Sequence, residues 1–556
     1  MSTVASLNPD AKSDLRRNVA DFQPSVWGDY FLQYASESME LDQNIETQIE
    51  TLKYNVRKML VSKSEKPLEK VHLIDSICRL GLSYQFEHEI EQVLQHIHNN
   101  YVENGELTIE DNICSLAVLF RLLRQHGFHV LPNVFNKFKD EQGNFSERLV
   151  GDIEGMLSLY EASHYMVHGD DILEDALAFT TTHIEAIANQ LNHPLAIQVK
   201  HSLRHPLHKN LPRLEARSYI SIYGQDPSHN ENLLILAKLD FNMLQKLHQK
   251  EFGDVYKWWN ELDVPNKLPY ARDRMAESCF WALAVYFEPQ YSTIRKIMMK
   301  IIITMTVVDD TYDAYGTIDE LELFTKAIER WDISCLDILP NYMKFLYKII
   351  LDIYGEIEQE MTNIGRVYAL NYHIIELKKY IQAYMTEARW LNSNYEPTLE
   401  EYIRISMESS GYVFMITTCY MGMGDTTTED IFKWISNEPK IINASIVIGR
   451  LMDDIVSNEF EQKREHIPSF LECYMKKYNV SREAAIKEGR KRISDAWKDM
   501  NMECFRPTEV PMPFLTRILN LSRFMDVFYK DKDNFTHPEG DMKTFIKLLL
   551  VDPVPV

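Results

Sequence analysis

Residues 301–316 read IIITMTVVDDTYDAYG, an apolar run that passes without a break into three aspartates. The β-branched residues alone would suit a strand. Because they lead directly into DDTYDAYG, we read the stretch as a buried helix ending in an acidic face. On a helix Asp309 and Asp313 are four residues apart and project from one side. Two like charges so placed repel unless a cation lies between them, and magnesium, a hard ion that prefers carboxylate and phosphate oxygens, is the fitting one. Asp310 points off that face, toward orienting a ligand or binding an arginine. A polar helix end is the plain alternative. The apolar run upstream argues instead that these carboxylates face an enclosed space.

Outward from this stretch, helical periodicity dominates. Phe86, Ile90, Val93, Leu94 and Ile97 form one apolar stripe, and Phe345, Ile349, Ile353 and Ile357 another. Thr426 and Glu429 have the spacing of a capping box. Asp171 and Asp175 in GDDILED mark a helix start favoured by the helix dipole. Alternating strand-like runs with hairpin turns are essentially absent, so the fold class is all-α. A length of 556 residues exceeds what one ordinary core serves. Pro206, Pro212, Gly224 and Pro227 interrupt the pattern before it resumes near Leu233. This places an N-terminal helical domain at 1–230 and a C-terminal domain at 231–556.

Composition narrows the partners. The chain is 45% hydrophobic and 25% charged, which is globular, and its net charge is −23 with no basic block. Nucleic acid and an anionic membrane surface are therefore excluded as expected partners, as is stable membrane insertion, and a monomer is expected. Seven scattered cysteines without a CxxC read as thiols in a reducing compartment. The opening MSTVASLNPDAKSDLRR carries no apolar signal segment, so the cytoplasm is the expected location. An anionic substrate would bind only where arginines or metal ions overturn the global charge.

The second half supplies both. In DDIVSNEFE, Asp453, Ser457 and Glu461 follow one another in steps of four, an acid, a hydroxyl and an acid on one helix face. Arg450 lies three residues earlier, and Lys463 follows. Taken alone this is equally a solvated surface helix; beside the DDTYD stretch it reads as the second wall of a metal site. Arg272 and Arg274 in PYARDRMAE share a side best on a loop, where they serve a diphosphate or, alternatively, surface salt bridges. Trp281, Tyr384, Tyr412, Phe414 and Tyr529 are aromatics near these segments, fit either to stabilise a cation without attacking it or to fill a core. Ser409-Ser410-Gly411 breaks a helix, leaving open a simple kink or carbonyls turned to a cavity.

Together these segments resemble the plant terpene synthase family, most closely its sesquiterpene synthases, over nearly the whole chain and in the family's order. The resemblance implies a two-domain all-helical protein whose C-terminal antiparallel bundle encloses the active site. It implies lyase activity on farnesyl diphosphate with three Mg²⁺ ions, Mn²⁺ being a possible substitute. Asp309 and Asp313 match the magnesium-contacting aspartates of the first motif, and Asp453, Ser457 and Glu461 the ligands of the second. Arg272, Arg274, Trp281, Tyr412, Tyr529 and Asp533 match catalytic positions, and Arg272, Arg450 and Lys463 are the cations expected at the diphosphate. RNVADFQPSVW, from Arg17 to Trp27, is similar to the arginine–tryptophan segment held to cap the catalytic domain. Asn18 departs from the arginine or proline common after that arginine, and nine residues separate Arg17 from Trp27; both favour the cytosolic class over plastid monoterpene enzymes. The first domain has no Asp-x-Asp-Asp, so cyclisation started by protonation is not expected. A chain-elongating prenyltransferase would carry two DDxxD segments, and this chain has one. A non-catalytic helical scaffold is disfavoured by the intact carboxylates.

Overall fold

A computed structural model describes residues 17, 22–37, 43–62, 67–102, 112–188, 195–424, 426–461 and 467–556. Among them the only β pairing is a bridge between Lys139 and Phe145; the rest is helix and connection. No described helix is long and apolar enough to cross a membrane.

The predicted stripes are buried except at Val93 and Phe345, which are half-buried. Ile90, Leu94 and Ile97 face inward from Glu87–Ile97, and Ile349, Ile353 and Ile357 from Asn341–Asn363. Asp171 opens the helix Asp171–Ile187 with Glu174 in the same first turn. The capping box expected at Thr426 does not form. The helix Glu429–Ser436 has Thr428 as its N-cap, without a side-chain cap bond, so Glu429 falls at the first helical position rather than the third. Reciprocal capping does occur at Thr398 with Glu401 and at Ser469 with Glu472.

A 32-residue helix, Glu231–Leu262, begins where the proline-rich stretch ends, with the Asn230 side chain accepting from the Leu233 amide at 3.1 Å. It packs against Gln43–Val61, Pro212–Tyr223, Met275–Val285, Ser292–Ala314 and Asp541–Leu550. From it Gln245 and Gln249 donate to the carbonyls of Leu549 and Leu550 at 3.0 and 2.8 Å, pinning the C-terminal helix. Asn242 exchanges two 2.8 Å hydrogen bonds with the backbone of Val554. One apolar core runs from Phe31 to Val554. The halves are also tied by polar contacts: Asn501 donates to the carbonyls of His164 and Met166, and Arg523 to that of His208.

The helix Ser292–Ala314 contains the opening stretch. Its β-branched run is poor in helix propensity, but Ile301 to Val308 are all buried, and packing decides the outcome. Near its start Arg295, wholly buried, forms a two-pronged ion pair with Glu251 of the long helix at 2.6 and 2.7 Å. The same guanidinium caps the carbonyls of Tyr286 and Glu288. This pair fixes the position of the helix whose far end presents Asp309 and Asp313.

Candidate active site

The helices Ser292–Ala314 and Lys440–Glu461 open onto one cavity of about 220 Å³. Asp309 and Asp313 line it from the first, and Asp453 and Ser457 from the second, so the two acidic stripes face the same space. Arg272, Trp281, Arg450, Tyr412, Tyr529 and Asp533 line it too. Glu461 ends its helix, but its side chain, like all of Lys463, lies outside the described residues.

Each wall has the same internal arrangement. The second aspartate of each pair, Asp310 or Asp454, is 1% exposed and holds an arginine at the rim. Asp310 accepts from the Arg272 amide at 2.8 Å and pairs with its Nε at 3.1 Å, while the Arg272 fork also reaches Asp309. Asp454 accepts from Arg450 Nε at 2.7 Å, from the Tyr402 hydroxyl at 2.7 Å and from the Phe470 amide, while Arg450 also reaches Asp453. Burial pushes the Asp310 carboxyl up, against the pull of Arg272. The arginines thus stand beside the outward-facing carboxylates, oriented by buried ones.

The donor set suits a hard divalent ion. Ser457 Oγ lies on the acidic stripe, buried and without a hydrogen-bond partner among the described residues. Among the described residues no three His, Cys, Asp or Glu side chains converge into a closed metal cage. Magnesium uses this kind of site, taking one or two carboxylates and completing its shell with water or phosphate oxygens.

Below the rim the cavity is aromatic. Trp281 stacks on Phe524 at 4.3 Å between ring centres and meets Phe535 edge-on. Tyr384 donates to Asp309 at 2.6 Å and receives a hydrogen bond from Tyr380 at 3.0 Å. Burial, followed by the charges of Asp533 and Asp453, pushes the Tyr529 phenol well above its ordinary range. Between Leu399–Ser409 and Tyr412–Met421 the helix breaks at Gly411, whose φ of +69° is left-handed; Ser409, Ser410 and Gly411 all line the cavity.

Arg274 has a different place from Arg272. Both sit on the loop before Met275–Val285, but Arg274 is 2% exposed and does not line the cavity. Its guanidinium donates to the carbonyls of Phe535 at 3.0 Å and Thr536 at 2.7 Å, and Arg272 donates to the Thr536 hydroxyl. Asp533 organises the same loop by accepting from the amides of Phe535 and Thr536. Arg274 therefore holds in place the segment that delivers Tyr529 and Asp533.

The N-terminal segment also reaches the site. Arg17 makes a two-pronged ion pair with Glu320 at 2.8 Å per arm, donates to the Tyr315 carbonyl and lies over the Tyr315 ring. Phe22 lines the cavity 5.3 Å from the Arg272 guanidinium. Burial would raise the Glu320 carboxyl, but Arg17, the Thr317 amide and Tyr342 hold it at about 2.

These contacts, made in the expected order by the expected motifs, coincide with direct sequence matches. Residues 260–499 match the profile "Terpene synthase family, metal binding domain", and residues 26–203 match "Terpene synthase, N-terminal domain". The chain belongs to the terpene synthase family. This synthase is 50% identical to a (-)-germacrene D synthase of Vitis vinifera over 98% of its own length and 97% of that protein's. It is equally similar, over the same shares, to a sesquiterpene synthase of Santalum spicatum. Among solved structures, a limonene synthase with bound 2-fluorolinalyl diphosphate superposes with a TM-score of 0.90 at 31% identity, covering 97% of this chain and 100% of that one. The isoprene synthase of grey poplar, Populus x canescens, in complex with three Mg²⁺ ions and dimethylallyl-S-thiolodiphosphate, gives 0.86 at 32%, covering 95% and 99%. The enzyme is thus a carbon–oxygen lyase of the terpene synthase type.

Several residues of this synthase's cavity escaped sequence reading: Phe22, Tyr380, Glu387, Tyr402, Asp454 and Thr536 line it as well. Two of them had a readable signal: Phe22 lies in the RNVADFQPSVW segment, and Asp454 beside Asp453 repeats Asp310 beside Asp309. One turn beyond Arg274, Glu277 is wholly buried, no other described residue hydrogen-bonds its carboxyl oxygens, and burial pushes it up to about 7 despite Arg274. A carboxyl raised in the folded state stabilises while protonated and loses that contribution as pH rises through about 7. Glu277→Gln is therefore expected to remove about 1 kcal/mol of the stability lost between pH 6 and 8, read as a flatter Tm-versus-pH curve than the parent's.

Proposed function

We propose that the enzyme is a magnesium-dependent sesquiterpene synthase that ionises farnesyl diphosphate and cyclises the cation to a sesquiterpene olefin or alcohol, releasing diphosphate. The observation that carries this reading is the single cavity with two acidic walls, arginines at its rim and aromatic rings below. Three Mg²⁺ ions, held by Asp309 and Asp313 on one wall and by Asp453, Ser457 and Glu461 on the other, would neutralise the departing diphosphate and polarise the allylic carbon–oxygen bond, and Mn²⁺ has the same donor preference.

The chain's own residues do the rest. Arg272 and Arg450, oriented by Asp310 and Asp454, set their positive charge against the diphosphate, with Lys463 as a third cation. Arg274 keeps Tyr529 and Asp533 against the cavity. The faces of Trp281 and Tyr412 stabilise the cation without offering a nucleophile that would trap it. The surrounding apolar wall folds the farnesyl chain and selects which double bond attacks. Phe22 in the cavity wall and Arg17 beside the DDTYD helix help to keep water from the cation. The seven free thiols fit a reducing compartment, and we place the enzyme in the cytoplasm as a monomer.

The test is incubation of purified enzyme with farnesyl or geranyl diphosphate, with and without Mg²⁺, followed by gas chromatography. A Mg²⁺-dependent C15 hydrocarbon or alcohol from the farnesyl substrate is expected. No such product, or turnover that requires isopentenyl diphosphate, refutes the reading. Arg17→Ala is expected to lower turnover about tenfold, the worth of one charge-assisted contact, and to raise the share of farnesol, with little change in Tm. The product profile and a melting curve check both parts.

A further inference from the structure

Gly449 belongs to the same face of its helix as the second metal motif. Gly449, Asp453 and Ser457 follow in steps of four, and all three line the cavity. Gly449 therefore lies one turn below the rim, level with the space that receives the allylic end of a substrate whose diphosphate is held at Asp453. A Cβ on Gly449 would stand 2.4 Å from both Cζ and the hydroxyl oxygen of Tyr412, and 2.5 Å from Cε2. The Tyr412 ring is thus pressed against bare helix backbone, closer than any side chain at 449 allows.

Nothing polar holds the ring there. The Tyr412 hydroxyl is buried and has no hydrogen-bond partner among the described residues. Its backbone starts the helix Tyr412–Met421 directly after left-handed Gly411, where a Cβ would itself come within 2.9 Å of the Tyr380 ring. Shape alone sets the depth of Tyr412: the helix carrying Gly449 closes one side of the ring and the cavity opens on the other. A methyl group at 449 leaves the ring one direction in which to move, into the reacting volume.

We infer that Gly449 is a specificity-determining residue, a notch that keeps Tyr412 back from the reacting end of the prenyl chain and so fixes which double bond reaches the allylic carbon. The inference rests on the proposed cyclase reading. Competing closures and early termination differ by small barriers, each tenfold change in partition being worth about 1.4 kcal/mol. Displacing one ring is enough to redirect the flux toward acyclic olefin, by loss of a proton, or acyclic alcohol, by capture of water.

The experiment compares parent, Gly449→Ala, Tyr412→Leu and the double variant with farnesyl diphosphate and Mg²⁺, reading product ratios by gas chromatography. Gly449→Ala is expected to raise the acyclic-to-cyclic ratio at least about fivefold, and to do so far less in the Tyr412→Leu background, because the clash is gone. An unchanged ratio, or an equal change in both backgrounds, overturns the inference. Tyr412→Leu needs no room at 449 and must alter the product spectrum by itself; an unaltered spectrum overturns the inference even if Gly449→Ala fails to fold. Calorimetric binding of inorganic diphosphate with Mg²⁺ should persist in all variants, and its loss in Gly449→Ala would put the effect at Asp453 and Arg450 instead, which also overturns it. A parent that forms no C15 product refutes the function proposed above, a separable outcome.

Discussion

Asp309→Asn reduces turnover of farnesyl diphosphate at least about a thousandfold, equivalent to about 4 kcal/mol of barrier, while the folded state survives. Asp309 is placed by Tyr384, which donates to it at 2.6 Å, and by the Arg272 fork. Asparagine keeps the shape and can still accept from Tyr384. What it loses is the negative charge, and half of its end becomes an N–H donor where a metal needs an oxygen. Asp310 remains to hold Arg272, so the rim keeps its geometry and the deficit falls on ionisation. Single-turnover kinetics, with circular dichroism as the control, check this. A variant within tenfold of the parent removes Asp309 from the proposed metal site.

Arg295→Met lowers stability by about 3–5 kcal/mol, the largest structural effect expected of a single substitution. The guanidinium and Glu251 are both buried and joined by two short hydrogen bonds. Without it a carboxylate is left uncompensated in the interior, and the carbonyls of Tyr286 and Glu288 lose their donor. The ion pair ties the DDTYD helix to the 32-residue helix, so activity falls together with Tm. Replacing both partners, Arg295→Met with Glu251→Leu, removes the stranded charge and recovers most of the loss. Equal Tm values for single and double variants would show that the pair is not what anchors the helix. Thermal unfolding of the three proteins decides it.

The all-helical fold and the two acidic walls were legible because a helix repeats every 3.6 residues: Asp309 with Asp313, and Asp453 with Ser457, could be assigned to faces from spacing alone. What was not legible depends on residues far apart in the chain. Arg272 and Arg274 are two residues apart and alike in type, yet one lines the cavity and the other is taken up by carbonyls at 535 and 536. Only the return of the C-terminal loop separates them. Tyr380 carries no signal in the sequence, and its place at the site comes from the hydrogen bond its hydroxyl donates to Tyr384. Gly449 carries no chemistry and gave no signal, since its importance is the ring lying against it. Thr426 failed as a cap because the neighbouring Thr428 took the position.

The central claim is that opposed acidic walls form one diphosphate site only with a divalent ion between them. Isothermal titration of inorganic diphosphate into the enzyme, with and without Mg²⁺, tests it directly when repeated on Asp309→Asn and Asp453→Asn. Saturable binding is expected in the parent, requiring Mg²⁺ and lost when either wall is altered. Binding of equal strength without Mg²⁺, or binding that survives the loss of either aspartate, would contradict it.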